Sequence, residues 1–459
     1  MLFNSLQFLL FFLMVCPLYY LLPLTGRWIL LLLASCYFYA VLNPYYLSIL
    51  ALAIGVDYFC GLGLYFTHRT TIRRGILVVS ILSNLVILGY FKYYNFFLDN
   101  LKLVPGFSEH TSTFLSIALP IGLSFHTFQS MSYCIEVYRD KTLFEKNPLV
   151  FSLFVMFFPQ LVAGPIERPT RLLQQLHVQQ VFNPEQVRSG LLLLAWGLFK
   201  KAVLSDRLAP YVDLIFDHPG HYASGALLLA AVFFSFQIYC DFSGYSDMAR
   251  GIARVMGYDL MVNFNMPYFA KNIQEFWTRW HISLSSWFRD YVYIPLGGSK
   301  VSKTMHIRNI LLVFLLSGMW HGANWTFLVW GALHGAALIG FLYTPRRTGW
   351  SMGSVPAMLL TFALVTFCWI FFRAPTVTDA CHYISQMVEM HSGSWTSPLY
   401  GFGHILLSIL LIAGLLGMER WAFPKLLSTK YFYLKALAFL AVLYLLGVYQ
   451  QSQFIYFQF

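Results

Sequence analysis

Apolar residues occur in long blocks separated by short polar connections, and the blocks have the length of membrane spans. A span needs about 20 predominantly apolar residues. Stretches 3–22, 28–42, 46–66, 76–98, 113–138, 189–204, 225–240, 308–320 with its continuation, 324–343, 354–373, 402–418 and 432–450 meet or approach that requirement. A weaker block, 148–163, and several short ones read as tilted or re-entrant. The pattern predicts an all-α polytopic membrane protein with roughly 11–13 helices, in one membrane domain covering 1–459. The first apolar run has no basic segment before it and no small-residue cleavage site, so it reads as a retained span.

One stretch departs from this pattern. Residues 259–308 are too polar to span and too aromatic for an ordinary loop. Lys271, Glu275, Arg279, Arg289 and Asp290 alternate there with Phe276, Trp277, Trp280, Trp287 and Phe288. Amphipathic helices lying in the membrane interface have this composition, and irregular backbone at membrane depth is tolerated when it lines a cavity. The segment is therefore expected to form the mouth or floor of an internal cavity on the cytoplasmic side.

Composition sharpens the reading. Charged residues make up 11% of the 459-residue chain and apolar ones 58%, against about 25% charged in soluble domains. Secreted, cytosolic and disordered classes are thereby excluded. The net charge of +11 fits positive residues collected in cytoplasmic loops, and no nucleic-acid partner is implied. His68, Arg69, Arg73, Arg74, Arg139, Lys141, Lys200, Lys201, Arg346, Arg347, Lys425 and Lys430 are expected to face the cytoplasm. Both termini then lie outside. The seven cysteines are scattered without a C-x-x-C pair, which indicates neither a disulfide framework nor a zinc site. Cys134 and Cys240 read as small buried hydrophobes.

Ionisable residues inside the apolar blocks are the candidates for chemistry. His321 lies in LLSGMWHGANWTFLVWGALHG, whose glycines permit close helix packing. Its competing reading is a core histidine hydrogen-bonded to a carbonyl. His281, 40 positions earlier at the end of FWTRWH, shifts the balance. Two imidazoles facing one cavity suit proton transfer, because histidine titrates near neutrality. His126 and Gln129 are positioned to line the same cavity. Asp241, Ser243, Tyr245, Ser246 and Asp247 have the alternative of helix capping and salt bridges to Arg250 or Arg254. His334, 13 positions past His321, shares no helical face with it and reads as structural. His218 and His221 are the only close histidine pair, so no metal centre is indicated. No Walker motif, phosphate loop or G-x-S-x-G elbow occurs.

Six ordered motifs give the chain a family resemblance. They are LPIGLSFHTFQSMSYCIEVYR (119–139), FFPQLVAGPIERP (157–169), CDFSGYSDMARGIARVMGY (240–258), NFNMPYFAKNIQEFWTRWHISLSSWFRDYVYIPLGG (263–298), SGMWHGANWTFLVWGALHG (317–335) and FIYFQF (454–459). With them the chain resembles the membrane-bound O-acyltransferases, in their bacterial alginate O-acetyltransferase branch. The resemblance implies a ring of helices around a central funnel and tunnel. It implies that His321 is the catalytic histidine and His281 the second active-site position. It also implies an acyl thioester entering from the cytoplasm, acetyl-CoA in this branch, as substrate with no bound cofactor. The acyl group then crosses the inner membrane to an exported polysaccharide such as alginate, through an extracytoplasmic acetyltransferase-like partner. Asn272, Trp320 and Asn324 join His126, Gln129, Asp241, Ser243 and Tyr245 as tunnel candidates. Lys271, Arg279 and Arg289 are candidates for the donor phosphates, with interfacial snorkelling as their alternative. D-alanyl transfer from a carrier-protein thioester to teichoic acid, a proton-coupled transporter and an assembly scaffold are the competing functions.

Overall fold

The computed structural model describes all residues except 42, 103–119, 121, 162–163, 345–352, 391, 397–399, 450–453 and 456–459. The start of the expected span 113–138, most of the loop 99–112, Arg346 and Arg347, and most of FIYFQF fall outside the described residues. Twenty α-helices make up the described structure, and among those residues the sole β feature is an isolated bridge between Tyr222 and Ser394. The helices divide into two compact units, residues 1–194 with 248–261, and residues 195–247 with 262–459.

The first unit begins with α1 (Leu6–Leu21), α2 (Leu24–Ala40), α3 (Tyr45–Phe66) and α4 (Thr70–Leu88). A π-turn joins α4 to α5 (Tyr94–Leu101), and α6 (Leu123–Arg139), α7 (Pro148–Met156) and α8 (Pro169–Leu176) follow. Buried polar groups in this unit are answered locally. The Asp57 carboxylate accepts from Ser80 Oγ at 2.6 Å and from Asn84 Nδ2 at 2.8 and 3.1 Å. Arg27, buried at the base of α2, donates to the carbonyls of Leu22 and Gln180. These bonds replace the water that a membrane interior lacks.

The helices α9 (Pro184–Leu198) and α11 (Ser224–Val255) each run from one unit into the other. The second unit holds α10 (Asp206–Asp217), α12 (Ile273–Arg279), α13 (Ile282–Phe288), α14 (Lys303–His321), α15 (Trp325–Tyr343) and α16 (Ser354–Arg373). It closes with α17 (Val377–Val388), α18 (Phe402–Gly417), α19 (Phe423–Leu426) and α20 (Phe432–Leu446). Six helical runs among the described residues are long and apolar enough to span: 45–66, 70–101, 224–255, 325–343, 354–373 and 402–426. Leu6–Leu21, Leu24–Ala40 and Phe432–Leu446 are apolar but shorter. This is a multi-pass membrane protein.

Two features of the second unit position the site. Residues 259–308 contain only short helices before α14 begins, and α12 and α13 have seven residues each, too few to cross a bilayer. The pair α14 and α15 forms a close hairpin, and its glycines show why. A Cβ on Gly318 would stand 2.2 Å from the Phe327 carbonyl oxygen, and one on Gly331 2.3 Å from that of Phe314. Only glycine permits this approach, so the register between the two helices is fixed.

Candidate functional site

His321 is the last residue of α14, where Gly322 takes extended backbone and ends the helix. A side chain at Gly322 would overlap the Phe327 ring, at 2.0 Å. His281 occupies the turn between α12 and α13 with φ +43° and ψ +54°, a left-handed conformation that is uncommon for a residue with a Cβ. Asn263 holds that turn. Its side-chain oxygen accepts from the Ser283 amide at 3.2 Å and the Ser283 hydroxyl at 3.0 Å, and its carbonyl accepts from the Ile282 amide at 2.9 Å. Backbone strain at an enclosed polar residue is a mark of functional sites.

The two imidazole centroids are 6.3 Å apart. The surrounding walls are aromatic. Trp320 lies 4.9 Å from His321 and 5.9 Å from His281. Trp330 and Phe372 approach His321 at 5.1 and 5.4 Å, and Phe242 approaches His281 at 4.6 Å. His281 is wholly buried and His321 is 4% exposed. Burial lowers the His281 imidazole, which lies outside the spanning helices, to about 3. His281 is therefore neutral at physiological pH, with one ring nitrogen as donor and the other as acceptor. A neutral imidazole polarises a carbonyl or orients a second base without bringing a charge into the enclosure.

A cavity of about 370 Å³ lies beside this enclosure, between α12–α13 and α14–α15. Trp277, Arg289, Tyr293, His306 and Ser317 are among its lining residues. His306 bridges two tyrosines, with Nε2 2.7 Å from Tyr293 Oη and Nδ1 2.6 Å from Tyr343 Oη. Ser317 is one turn before His321 on α14, and Ile282 of the lining follows His281 directly, while neither histidine itself lines the cavity.

The remaining candidates divide by what they touch. Trp320 is part of the enclosure. Asn272 caps α12, accepting from the Glu275 amide at 2.8 Å, and Glu275 answers the Lys271 amide at 2.7 Å. Asn324 caps α15 by accepting from the Thr326 amide and donates to the Pro375 carbonyl at 2.7 Å. Arg279 pairs with Glu275 at 2.7 Å. Arg289 pairs with Asp290 at 2.8 Å, and it is exposed at the cavity. Lys271 has an exposed side chain.

Asp241, Ser243, Tyr245, Ser246 and Asp247 lie in the interior of α11, a single 32-residue helix, and not at a helix start. Capping is therefore not their role. Asp241 binds Lys201 Nζ at 2.7 Å and accepts from the Ile455 amide at 2.7 Å. Lys201 also reaches Asp206 at 2.8 Å, and Lys200 pairs with Asp247 at 2.5 Å. A π-helical turn over 199–205 lets both consecutive lysines point inward. The Tyr245 ring packs on Phe454, with centroids 4.5 Å apart.

His126 and Gln129 lie on α6 in the first unit. Gln129 donates its amide to the Phe154 carbonyl at 2.5 Å, and His126 is buried with the Tyr39 ring 6.0 Å away. No cluster of three or more His, Cys, Asp or Glu side chains suited to a metal occurs among the described residues.

Sequence reasoning did not single out Trp330 or Phe372, and it read His334 as structural. The 13-residue count from His321 assumed one helix, but His321 ends α14 and His334 lies on α15. His334 packs 4.9 Å from Trp330. The four-residue spacing of Trp330 and His334 places both on one helix face, and that was the available signal.

The comparisons with known proteins fall on the same segments. Residues 145–371 match the model of the MBOAT, membrane-bound O-acyltransferase family. The peptidoglycan O-acetyltransferase of Helicobacter pylori is 37% identical over 79% of this chain and 74% of its own length. The "probable alginate O-acetylase AlgI" of Pseudomonas aeruginosa is 39% identical over 86% of this chain and 76% of its own. The teichoic acid D-alanyltransferase of Bacillus subtilis is 29% identical over 54% of this chain and 67% of its own. The chain belongs to the membrane-bound O-acyltransferase family and is an acyltransferase.

Proposed function

We propose that this protein is an O-acetyltransferase of the bacterial cytoplasmic membrane, passing acetyl groups from cytoplasmic acetyl-CoA to an exported polysaccharide. The observation that carries the reading is the His281–His321 pair, 6.3 Å apart inside an aromatic enclosure within the family-matched residues. The names of the alginate and peptidoglycan relatives support acetyl as the group and a polysaccharide as the acceptor.

The chemistry follows from the parts. A thioester is already activated, so the enzyme must supply a base for the attacking hydroxyl and donors for the developing oxyanion. His321 takes the hydroxyl proton as the oxygen attacks the carbonyl carbon, then returns it to the departing thiolate. His281, neutral and fixed by its turn, orients His321 or polarises the carbonyl. The apolar walls exclude water and so suppress hydrolysis of the donor. Arg289 stands at the cavity where the donor's phosphates would enter. An extracytoplasmic acetyltransferase-like protein completes transfer to the glycan.

The test is transfer of label from acetyl-CoA by the purified protein in nanodiscs, with a cell-envelope extract supplying acceptor and partner. Label in polysaccharide and release of free CoA are expected. Inactivity with acetyl-CoA, combined with turnover of an aminoacyl carrier-protein thioester, would replace this reading with the D-alanyl one that the Bacillus relative suggests.

A further inference from the structure

Behind His321 lies a group of buried polar side chains that the reaction as described does not use. Trp330 and His334 are fully buried on α15, and Trp369 on α16 is 1% exposed. The Trp330 and Trp369 indole nitrogens and both His334 ring nitrogens have no hydrogen-bond partner among the described residues. Trp277 Nε1 is in the same condition. The four rings touch one another: His334 lies 4.9 Å from Trp330 and 5.0 Å from Trp277, and Trp330 lies 5.7 Å from Trp369. Buried donors are paired as a rule, because an unmade hydrogen bond there is costly. Several unpaired donors in contact point to a group that arrives during the reaction.

Of these rings Trp330 packs against His321, with centroids 5.1 Å apart and planes at 89°. The α15 backbone next to it is fixed, because Gly331 packs directly on the Phe314 carbonyl of α14. An indole packed edge-to-face on the base, its N–H unpaired, meets the requirement for stabilising negative charge as it forms, since little reorganisation is needed. It also costs the enclosure no formal charge.

We infer that Trp330 is a catalytic residue whose Nε1–H donates to the carbonyl oxygen of the acyl group in the tetrahedral intermediate. The inference rests on the acyl-transfer reading above. In that step the acceptor hydroxyl oxygen bonds to the carbonyl carbon and its proton passes to His321. The carbonyl π pair moves onto oxygen, where the Trp330 N–H binds it. Return of that pair re-forms C=O and breaks the C–S bond, and the thiolate takes the proton from His321. The His334 and Trp369 rings pack against the indole, with centroids 4.9 and 5.7 Å away.

The experiment replaces Trp330 with β-(3-benzothienyl)alanine, in which sulfur replaces the indole N–H and the ring shape is kept. Thioester turnover and melting temperature are measured in nanodiscs beside wild type and the same replacement at Trp369. The expected result is a fall in kcat on the order of 100-fold at position 330, with KM and melting temperature unchanged, and no comparable fall at 369. A kcat within about twofold of wild type at 330, or a fall at 369 in its place, overturns the assignment. Wild type serves as the readout of the underlying reading: turnover of any acyl thioester sustains it, and complete inactivity overturns both.

Discussion

Two regions of the second unit bury polar side chains to the same degree and treat them in opposite ways. Around Lys200 and Lys201, each charge meets an opposite one: Asp241 and Asp206 on Lys201, Asp247 on Lys200. Around His281 and His321 the neighbours are ring faces and edges, from Trp320, Trp330, Phe242 and Phe372. Paired charges hold helices together by answering one another across them. Imidazoles walled by aromatics sit in a dry, shaped space where a proton taken from a substrate has few competing destinations. Both regions are costly to build, and the proposed acyl transfer takes place in the second.

Substitutions separate the two roles, the largest effect first. His321→Ala is expected to lower thioester turnover by about 10²–10⁴-fold, the range for a lost general base. Its melting temperature should stay near that of wild type, which calorimetry in detergent checks. Lys201→Met should do the reverse. Leaving two carboxylates buried without their cation costs about 3–5 kcal/mol, seen as lost monodisperse yield and a lower melting temperature. Adding Asp241→Leu to Lys201→Met should recover part of that loss, and no recovery would argue against the pairing as the cause.

Asn324→Ala removes the cap of α15 and is expected to cost about 1 kcal/mol, with turnover per folded molecule unchanged. A large activity loss without destabilisation would move Asn324 into the site after all. The smallest effect belongs to Glu167 in the first unit. Burial raises its carboxyl from the ordinary 4.5 to about 7, while one of its oxygens accepts from the Met261 amide. A raised acid favours the folded state at low pH. The contribution is complete below about 4.5 and is lost as pH rises through about 7. Glu167→Gln should therefore flatten the fall in melting temperature between those values.

The sequence made both histidines legible, because an ionisable residue in an apolar block is conspicuous, and FWTRWH and MWHG carry the resemblance besides. The short helices of 259–308 were equally legible from their mixture of charge and aromatic residues. The rest depended on three-dimensional pairing. That Asp241 meets Lys201 follows from a π-turn in a different element, which no spacing within α11 reveals. The aromatic wall depended on where α14 ends, and nothing in SGMWHGANWTFLVWGALHG shows that Trp330 would pack against His321. Asn272 was a missed local signal, since an Asn followed three positions later by Glu is a helix-start pattern.

The central claim is that His281 and His321 act as one reacting unit, and a double-mutant cycle on turnover tests it most directly. His281→Asn is the suitable partner substitution, because Asn tolerates the left-handed turn. Residues that act as a unit lose their function once, so the double variant His281→Asn/His321→Ala is predicted to turn over no more slowly than His321→Ala alone. Losses that multiply, each substitution costing its full factor in the presence of the other, would contradict the account.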